Sequence, residues 1–430
     1  MASATSAIRV VLNSIADRGR ELFGHTKAGT LDELCHDLLS ERGEAIGTAL
    51  AREVVDRYRS LPTEEKLEFF EALADKHPAN VDGVLEAAES YRADPGSPQL
   101  LALWRASEPP VRALFSRINM APGGTSALVD MRRDLLELLT EHPQLKPLDS
   151  VLRHLLTSWF NRGFLELKRI HWQTPAFILE KVIKYEAVHE IAGWDDLRRR
   201  LASDRRCFAF FHPALPDEPL IFVEVALVRG IPDSMRSLLD VNAKVMDATN
   251  ADTAVFYSIS NCLVGLRGIS FGNFLIKQVV SELVNEELRL KTFVTLSPIP
   301  GFSRWLDALD SEQMEEILPT DMAFERSWLD EDGTDRLREP LKRLCAHYLV
   351  KQRRGTRALD PVAAFHLGNG ASIERINWLA DSSEKGRAES KGLMVNYLYA
   401  PSRIEKNHEA YVNRERIAKS PKVGLLLRKK

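Results

Sequence analysis

The sequence predicts an α+β protein in two parts: an all-helical bundle over residues 1–148, then a mixed α/β catalytic-type domain over residues 149–430. Three observations carry this. Apolar residues in the first third recur mostly three, four or seven apart, the helical period. After His142-Pro143-Gln144-Leu145-Lys146-Pro147 the texture changes to runs of β-branched and aromatic residues with helical stretches between them. Finally, 430 residues suit two or three domains and can bury a core without staples.

The helical elements follow in order. Over Leu31–Leu61 one stripe holds Leu34, Leu38, Leu39, Ile46, Leu50, Val54 and Val55. Pro62-Thr63-Glu64-Glu65 opens another helix with acids in its first turn, and His77-Pro78 stops it. Shorter pieces are predicted over Val81–Tyr91 and Pro98–Ala106, parted by Asp94-Pro95-Gly96, then over Pro109–Met120 and Thr125–Thr140. Short loops make such helices antiparallel neighbours, hence a bundle. Strand character falls at Phe164–Ile170, Cys207–Phe211, Leu220–Val228, Thr253–Ser260, Thr292–Ser297, Ala371–Trp378 and Leu393–Tyr399, with helices at Phe274–Leu288 and Trp328–Leu349.

Composition narrows the function. With 58 Lys+Arg against 61 Asp+Glu the formal charge is −3, so no basic footprint for nucleic acid is present. The 44% hydrophobic and 28% charged fractions are those of a globular protein. The longest apolar run, Leu220–Val228, contains Glu224 and is too short for a bilayer, so no membrane partner is expected. Cys35, Cys207, Cys262 and Cys345 lie far apart without metal spacing, which suits buried thiols in a reducing, cytoplasmic setting. The N-terminal segment reads as neither a secretory signal nor a transit peptide.

Three segments hold the chemistry. A strand, Thr253–Ser260, runs into Gly265-Leu266-Arg267-Gly268-Ile269-Ser270-Phe271-Gly272-Asn273, and a helix and a second strand follow. A glycine-bearing turn that opens a helix presents backbone N–H groups at the positive end of the dipole, which suits a pyrophosphate. Taken alone, the Gly-x-x-x-Gly spacing reads more readily as a tight turn between strand and helix, and the arrangement as a whole shifts that balance. Ser297 closes a strand ahead of Pro298-Ile299-Pro300-Gly301, and the proline holds it extended. His366 lies between apolar residues and a Gly368-Asn369-Gly370 turn; a satisfied core histidine is the plain alternative, and spacing alone does not bring it to Ser297.

The order strand, Arg-x-x-Ser-x-Gly, helix, strand resembles the acyl-CoA-binding motif of the GNAT acetyltransferase superfamily, usually Q/R-x-x-G-x-G/A. Arg267 and Gly272 match, and Ser270 stands where glycine is usual. The segments FYSIS (256–260), GISFGNFLIK (268–277), LSPIPGF (296–302), DPVAAFHLGNGA (360–371), RINWLAD (375–381) and GLMVNYLY (392–399) resemble the malonyl-CoA decarboxylase family, in that family's order. The resemblance implies a GNAT-like catalytic domain that takes malonyl-CoA to acetyl-CoA and CO2. It implies Ser297 and His366 as the proton-handling pair, with Tyr399 near them. It further implies that Arg267, Gly268, Ile269, Ser270, Phe271, Gly272 and Asn273 bind the CoA phosphates. The glutamate that the family carries in this loop falls on Ser270.

The chemistry of the reaction is consistent with those roles. Loss of CO2 leaves a thioester enolate that needs oxyanion donors and a proton at C2, and neither requires a metal or prosthetic group. CoA is then part of the substrate and no cofactor is expected. Either Ser297 relays a proton from His366, or Ser297 orients the carboxylate and His366 protonates C2 directly. Asn377 and Asp381 either buttress His366 or pair locally, and His212-Pro213 reads as a turn. An acyltransferase acting on an amine and a CoA-thioester sensor remain the competing functions. The bundle suits either bracing or self-association, and a homo-oligomer is expected.

Overall fold

The computed structural model of the chain describes residues 14, 29–40, 44–76, 79–269, 275–286, 289–319, 322 and 335–428. The expected stop at His77-Pro78 and the loop residues Ser270, Phe271, Gly272 and Asn273 lie outside these. The chain divides into two compact units. One runs up to Glu166 and also takes in Phe211–Leu220 and the segment beginning at Leu263; the other holds the rest.

The first unit is built from α1 (Leu31–Leu39), α2 (Glu44–Ser60), α3 (Thr63–Lys76), α4 (Val81–Ala93), α5 (Ser97–Ser107), α6 (Pro110–Asn119), α7 (Gly124–Leu138) and α8 (Lys146–Trp159). The single stripe predicted over Leu31–Leu61 is thus two helices, with Ser40 capping the first. A reciprocal capping box between Thr30 and Glu33 starts α1. The core gathers Phe70, Leu114, Phe115, Leu128, Met131 and Leu152. Buried at its edge, Tyr58 Oη and Lys66 Nζ both donate to Asp134 Oδ2 at 2.8 Å. Helix α8, which spans the expected boundary at residue 148, joins this core through Leu148, Leu152 and Leu155. Helices α4 and α5 pack on each other and bury no residue fully.

The second unit carries a seven-stranded sheet: β1 (Glu166–Ile170), β2 (Arg205–Phe211), β3 (Ile221–Val228), β4 (Thr253–Asn261), β5 (Thr292–Thr295), β6 (Ser372–Asn377) and β7 (Met394–Leu398). Every strand predicted from the sequence is in it. Its order is β1-β2-β3-β4-β5-β7-β6, antiparallel between β2 and β4, parallel between β4 and β5, and antiparallel again from β5 to β6. Helix α9 (Leu275–Asn285) supplies the crossover that parallel pairing requires. Later come α10 (Arg338–Lys351) and α11 (Pro361–Gly368). Strand β3 is buried along almost its whole length, and its one carboxylate, Glu224, meets Arg200 Nη1 at 3.0 Å.

Two irregularities position the site. On β4 the register passes from Glu224↔Ser258 to Val225↔Phe256, so Tyr257 is the extra residue of a bulge. At the same level β5 leaves β4: their pairing ends at Phe256↔Thr295, while on the other edge of β5 the pairing with β7 runs on to Ser297↔Val395, N–H to O at 2.9 Å both ways. The two central strands therefore splay. The strand, helix, strand order expected after Thr253 is present as β4, α9 and β5.

A buried ion pair anchors β2. Arg199 donates from both terminal nitrogens to Asp204, at 2.7 and 3.1 Å, and Asp204 also accepts from Met246 N–H. Burial alone would raise the Asp204 carboxyl, but Arg199, the Met246 N–H and Arg205 hold it below its ordinary value. Its contribution is in place above the unfolded carboxyl value of about 3.9 and is lost as pH falls through the lower folded value. Removing the carboxylate leaves Arg199 charged and buried, so Asp204→Ala is expected to destabilise the chain by about 3–5 kcal/mol in urea unfolding.

Candidate active site

The splay of β4 and β5 opens a pocket of about 280 Å³, wholly within the second unit. One wall is β4 past the bulge, with Tyr257, Ser258, Ile259 and Asn261; facing it are Ser297, Pro298 and the α11 residues Val362, Phe365 and His366. The lining is mostly apolar, with a few convergent polar groups.

Ser297 is placed by backbone. Its N–H and C=O are both taken by Val395, and Pro298 follows at once. His366 is placed by helix chemistry. Asp360 caps α11 by accepting from Ala363 N–H at 2.9 Å, and Pro361 occupies the first turn. Sequence reading had His366 next to a turn; it sits in the last turn of this short helix, 3% exposed. The two side chains meet, with Ser297 Oγ 3.0 Å from His366 Nε2.

Around this pair runs a buried chain of hydrogen bonds. Tyr399 Oη lies 2.8 Å from His366 Nδ1. Ser297 Oγ donates to Thr295 Oγ1 at 2.8 Å, and Thr295 Oγ1 also accepts from Tyr397 N–H. With the serine hydrogen committed to Thr295, His366 carries its proton on Nε2 and accepts from Tyr399 at Nδ1. The imidazole stacks on the Tyr397 ring, centroids 4.6 Å apart, with Phe365 against its edge. Burial pushes His366 down to about 3, so it is neutral throughout the physiological range. Burial likewise raises Tyr399 far above its ordinary value.

Tyr399 is fully buried and acts on His366 from behind rather than facing the pocket. Asn377 and Asp381 do not reach His366: Asn377 donates to Asn396 Oδ1, which also accepts from Arg375, and Asp381 accepts from Ser383 N–H. Asn396 in turn donates to the Thr295 carbonyl, so this group steadies the serine side. His212 contacts the Trp159 carbonyl and stacks near Phe160, within the first unit. Among the described residues no three His, Cys, Asp or Glu side chains gather as a metal would need.

Arg267, Gly268 and Ile269 belong to the first unit. Arg267 (φ −57°, ψ 132°) and Gly268 (φ 77°) form a type II turn, closed by Ile269 N–H to the Leu266 carbonyl at 3.1 Å. Only glycine sits easily at that positive φ. Arg267 and Gly268 are exposed and Ile269 is buried.

Sequence reading passed over two residues. Ser258 lines the pocket and donates to Glu186, 2.8 Å from either carboxylate oxygen; Glu186 is fixed by Val188 and His189 N–H groups. The only available signal was a serine in an apolar strand. Thr295 shows even less in sequence, being an ordinary strand residue until its hydroxyl is seen between Ser297 and β7.

A neutral His366 in the folded chain binds fewer protons than an unfolded one between pH 3 and 6.5, so it costs stability as pH falls through that window. The expected observation is a neutral-imidazole ¹⁵N signature for His366, Nε2 protonated, unchanged from pH 8 to 5.

Both parts of the sequence are similar to known proteins. Residues 163–430 match the malonyl-CoA decarboxylase C-terminal domain, and residues 78–160 match the malonyl-CoA decarboxylase N-terminal domain. Mitochondrial malonyl-CoA decarboxylases of Anser anser anser and Mus musculus are 40% and 39% identical over 346 residues, 73% of this chain and 69% and 70% of theirs. The crystal structure of malonyl-CoA decarboxylase from Rhodopseudomonas palustris has a TM-score of 0.84 and 49% identity, covering 91% of this chain and 98% of that one. The Agrobacterium vitis enzyme has a TM-score of 0.84 and 48% identity, covering 93% and 100%. With matches spanning both parts of the sequence, this chain belongs to the malonyl-CoA decarboxylase family.

Proposed function

We propose that this chain carries out its family's reaction, decarboxylation of malonyl-CoA to acetyl-CoA and CO2, through an enolate protonated by Ser297 and His366, with no metal or prosthetic group. The observation that carries the reading is the 3.0 Å contact between Ser297 and His366 at the wall of an apolar pocket. The malonyl thioester occupies this pocket. Sparse water there favours departure of the carboxylate as neutral CO2. Negative charge then gathers on the thioester oxygen, where backbone N–H groups of β4 past the bulge stabilise it. Each such donor is typically worth about 2.7–4 kcal/mol.

The enolate takes its proton at C2 from Ser297 Oγ. His366 replaces it from Nε2–H while Nδ1 takes the Tyr399 Oη proton, so the imidazole stays neutral. Each turnover consumes one proton, which returns to the site from water. Tyr399, which does not touch the substrate, is the far member of this relay. The turn at Arg267, Gly268 and Ile269, with Ser270, Phe271, Gly272 and Asn273 after it, takes the CoA phosphates.

We also propose a homo-oligomer in the cytoplasm. The α4–α5 hairpin supports the first point, since Val81, Leu85, Leu100, Leu101 and Trp104 are exposed on it. Four buried cysteines with no disulfide among them support the second. Neither a nucleic acid nor a membrane is a proposed partner. Among the described residues no helix is long and apolar enough to cross a membrane.

Two experiments test these readings. Purified chain given malonyl-CoA alone, with a chelator present, should yield acetyl-CoA and CO2 in equal amounts. Ser297→Ala and His366→Ala should each cut kcat by about 10²–10⁴ with folding intact, the usual worth of a positioned acid. If Ser297→Ala kept most of its rate while His366→Ala did not, direct protonation by His366 would replace the relay. For assembly, light scattering at micromolar concentration should show an oligomer that the Leu85→Asp/Trp104→Asp pair converts to monomer. A monomeric parent would end that reading.

A further inference from the structure

The turn assigned above to the CoA phosphates rests on a buried arginine of the helical bundle. Arg132, on α7, is 2% exposed and reaches three partners. Its Nε donates to Asp149 Oδ1 at 2.8 Å, while Nη1 donates to the Gly265 carbonyl at 2.7 Å and to the Arg267 carbonyl at 2.9 Å. All four residues lie in the first unit. We propose that Arg132 is a positioning residue for CoA binding, which sets the peptide direction in the Arg267–Gly268 turn; the inference rests on the phosphate role proposed for that turn.

The argument is geometric. Type I and type II turns differ by a flip of their central peptide, and here that peptide joins Arg267 to Gly268. In a trans peptide the C=O and the next N–H point in opposite directions. With the Arg267 oxygen held by Arg132, the Gly268 N–H faces away from α7. The opposite flip would turn a carbonyl oxygen, the wrong charge, toward an incoming phosphate. Close approach makes this possible. A Cβ on Gly265 would fall 2.0 Å from the Val129 carbonyl oxygen, so only glycine lets the chain come this near α7. Joining α7 to α8 would need only the Nε contact with Asp149, yet Nη1 is given wholly to the turn.

The test compares malonyl-CoA with malonyl-pantetheine, which has the thioester but none of the nucleotide phosphates. Arg132→Lys keeps a charge beside Asp149 but loses the planar fork that serves two carbonyls as well. Arg132→Met removes the donor altogether. Both full-length variants are first checked by thermal melting, and the lysine variant carries the test if the methionine one does not fold. The expected result is a KM for malonyl-CoA raised about tenfold, the scale of one lost charge-assisted hydrogen bond. The KM for malonyl-pantetheine and both kcat values should stay within about twofold. Parallel losses with both substrates would make Arg132 merely structural, and unchanged malonyl-CoA kinetics would overturn the proposal outright. The unsubstituted chain separates the two layers: should its KM be the same for both substrates, the phosphate reading fails, and this inference with it.

Discussion

The parting of β5 from β4 is the constraint on which the site depends. A parallel pair that kept its ladder past Phe256 would seal the sheet and leave no pocket. The bulge at Tyr257 and the end of the β4–β5 ladder fall at the same level, so one wall is bent while the other stays with β7 through Val395. The sequence enforces the second of these. Pro298 and Pro300 cannot donate to a ladder, and the strand must end where Ser297 has made its last pair. The serine is thus at the lip of the opening because the sheet cannot continue beyond it.

The same constraint fixes His366. Strand β7, paired along the other edge of β5 and on to Ser297, carries Tyr397, with Tyr399 just beyond its end. One stacks on the imidazole and the other meets Nδ1. Asp360 serves both sides of the pocket, capping α11 through Ala363 and lying 3.4 Å from the Gly301 N–H in the loop after Ser297. Burial pushes this carboxyl up to about 6, against the N–H groups and Tyr348 that favour its charged form. The dyad is therefore held by two elements whose own ends are tied to one residue.

Much of this was legible in the sequence, for reasons that differ by element. All seven strands were readable because β-branched runs bounded by turns carry a local signal. Ser297, His366 and Tyr399 were legible as parts of motifs that resemble the family, and no period or spacing brought them together. The helices Lys146–Trp159 and Pro361–Gly368 were missed, the second because eight residues hold barely two turns and its apolar character gives no stripe. Ser258, Thr295 and Arg132 left no sequence signal, since each acquires its role from a partner 72, 102 or 133 positions away. Pairings at such separations are properties of topology.

The partner behind the histidine argues for proton delivery over nucleophilic catalysis. In a serine–histidine nucleophile the imidazole becomes a cation as it takes the serine proton, and a carboxylate at Nδ1 stabilises that charge. Here the Nδ1 partner is Tyr399 Oη, a neutral phenol, and burial alone depresses the imidazole to about 3. An imidazolium is strongly disfavoured in this setting, so activating Ser297 as an attacking alkoxide is too. A proton handed on from Nε2–H and replaced at Nδ1 from Tyr399 Oη leaves His366 neutral and creates no cation there. Protonation of an enolate makes that demand, whereas acyl transfer to a serine makes the opposite one. The hydrogen bonds around Ser297 thus favour decarboxylation over acyl-enzyme chemistry within the same splayed sheet.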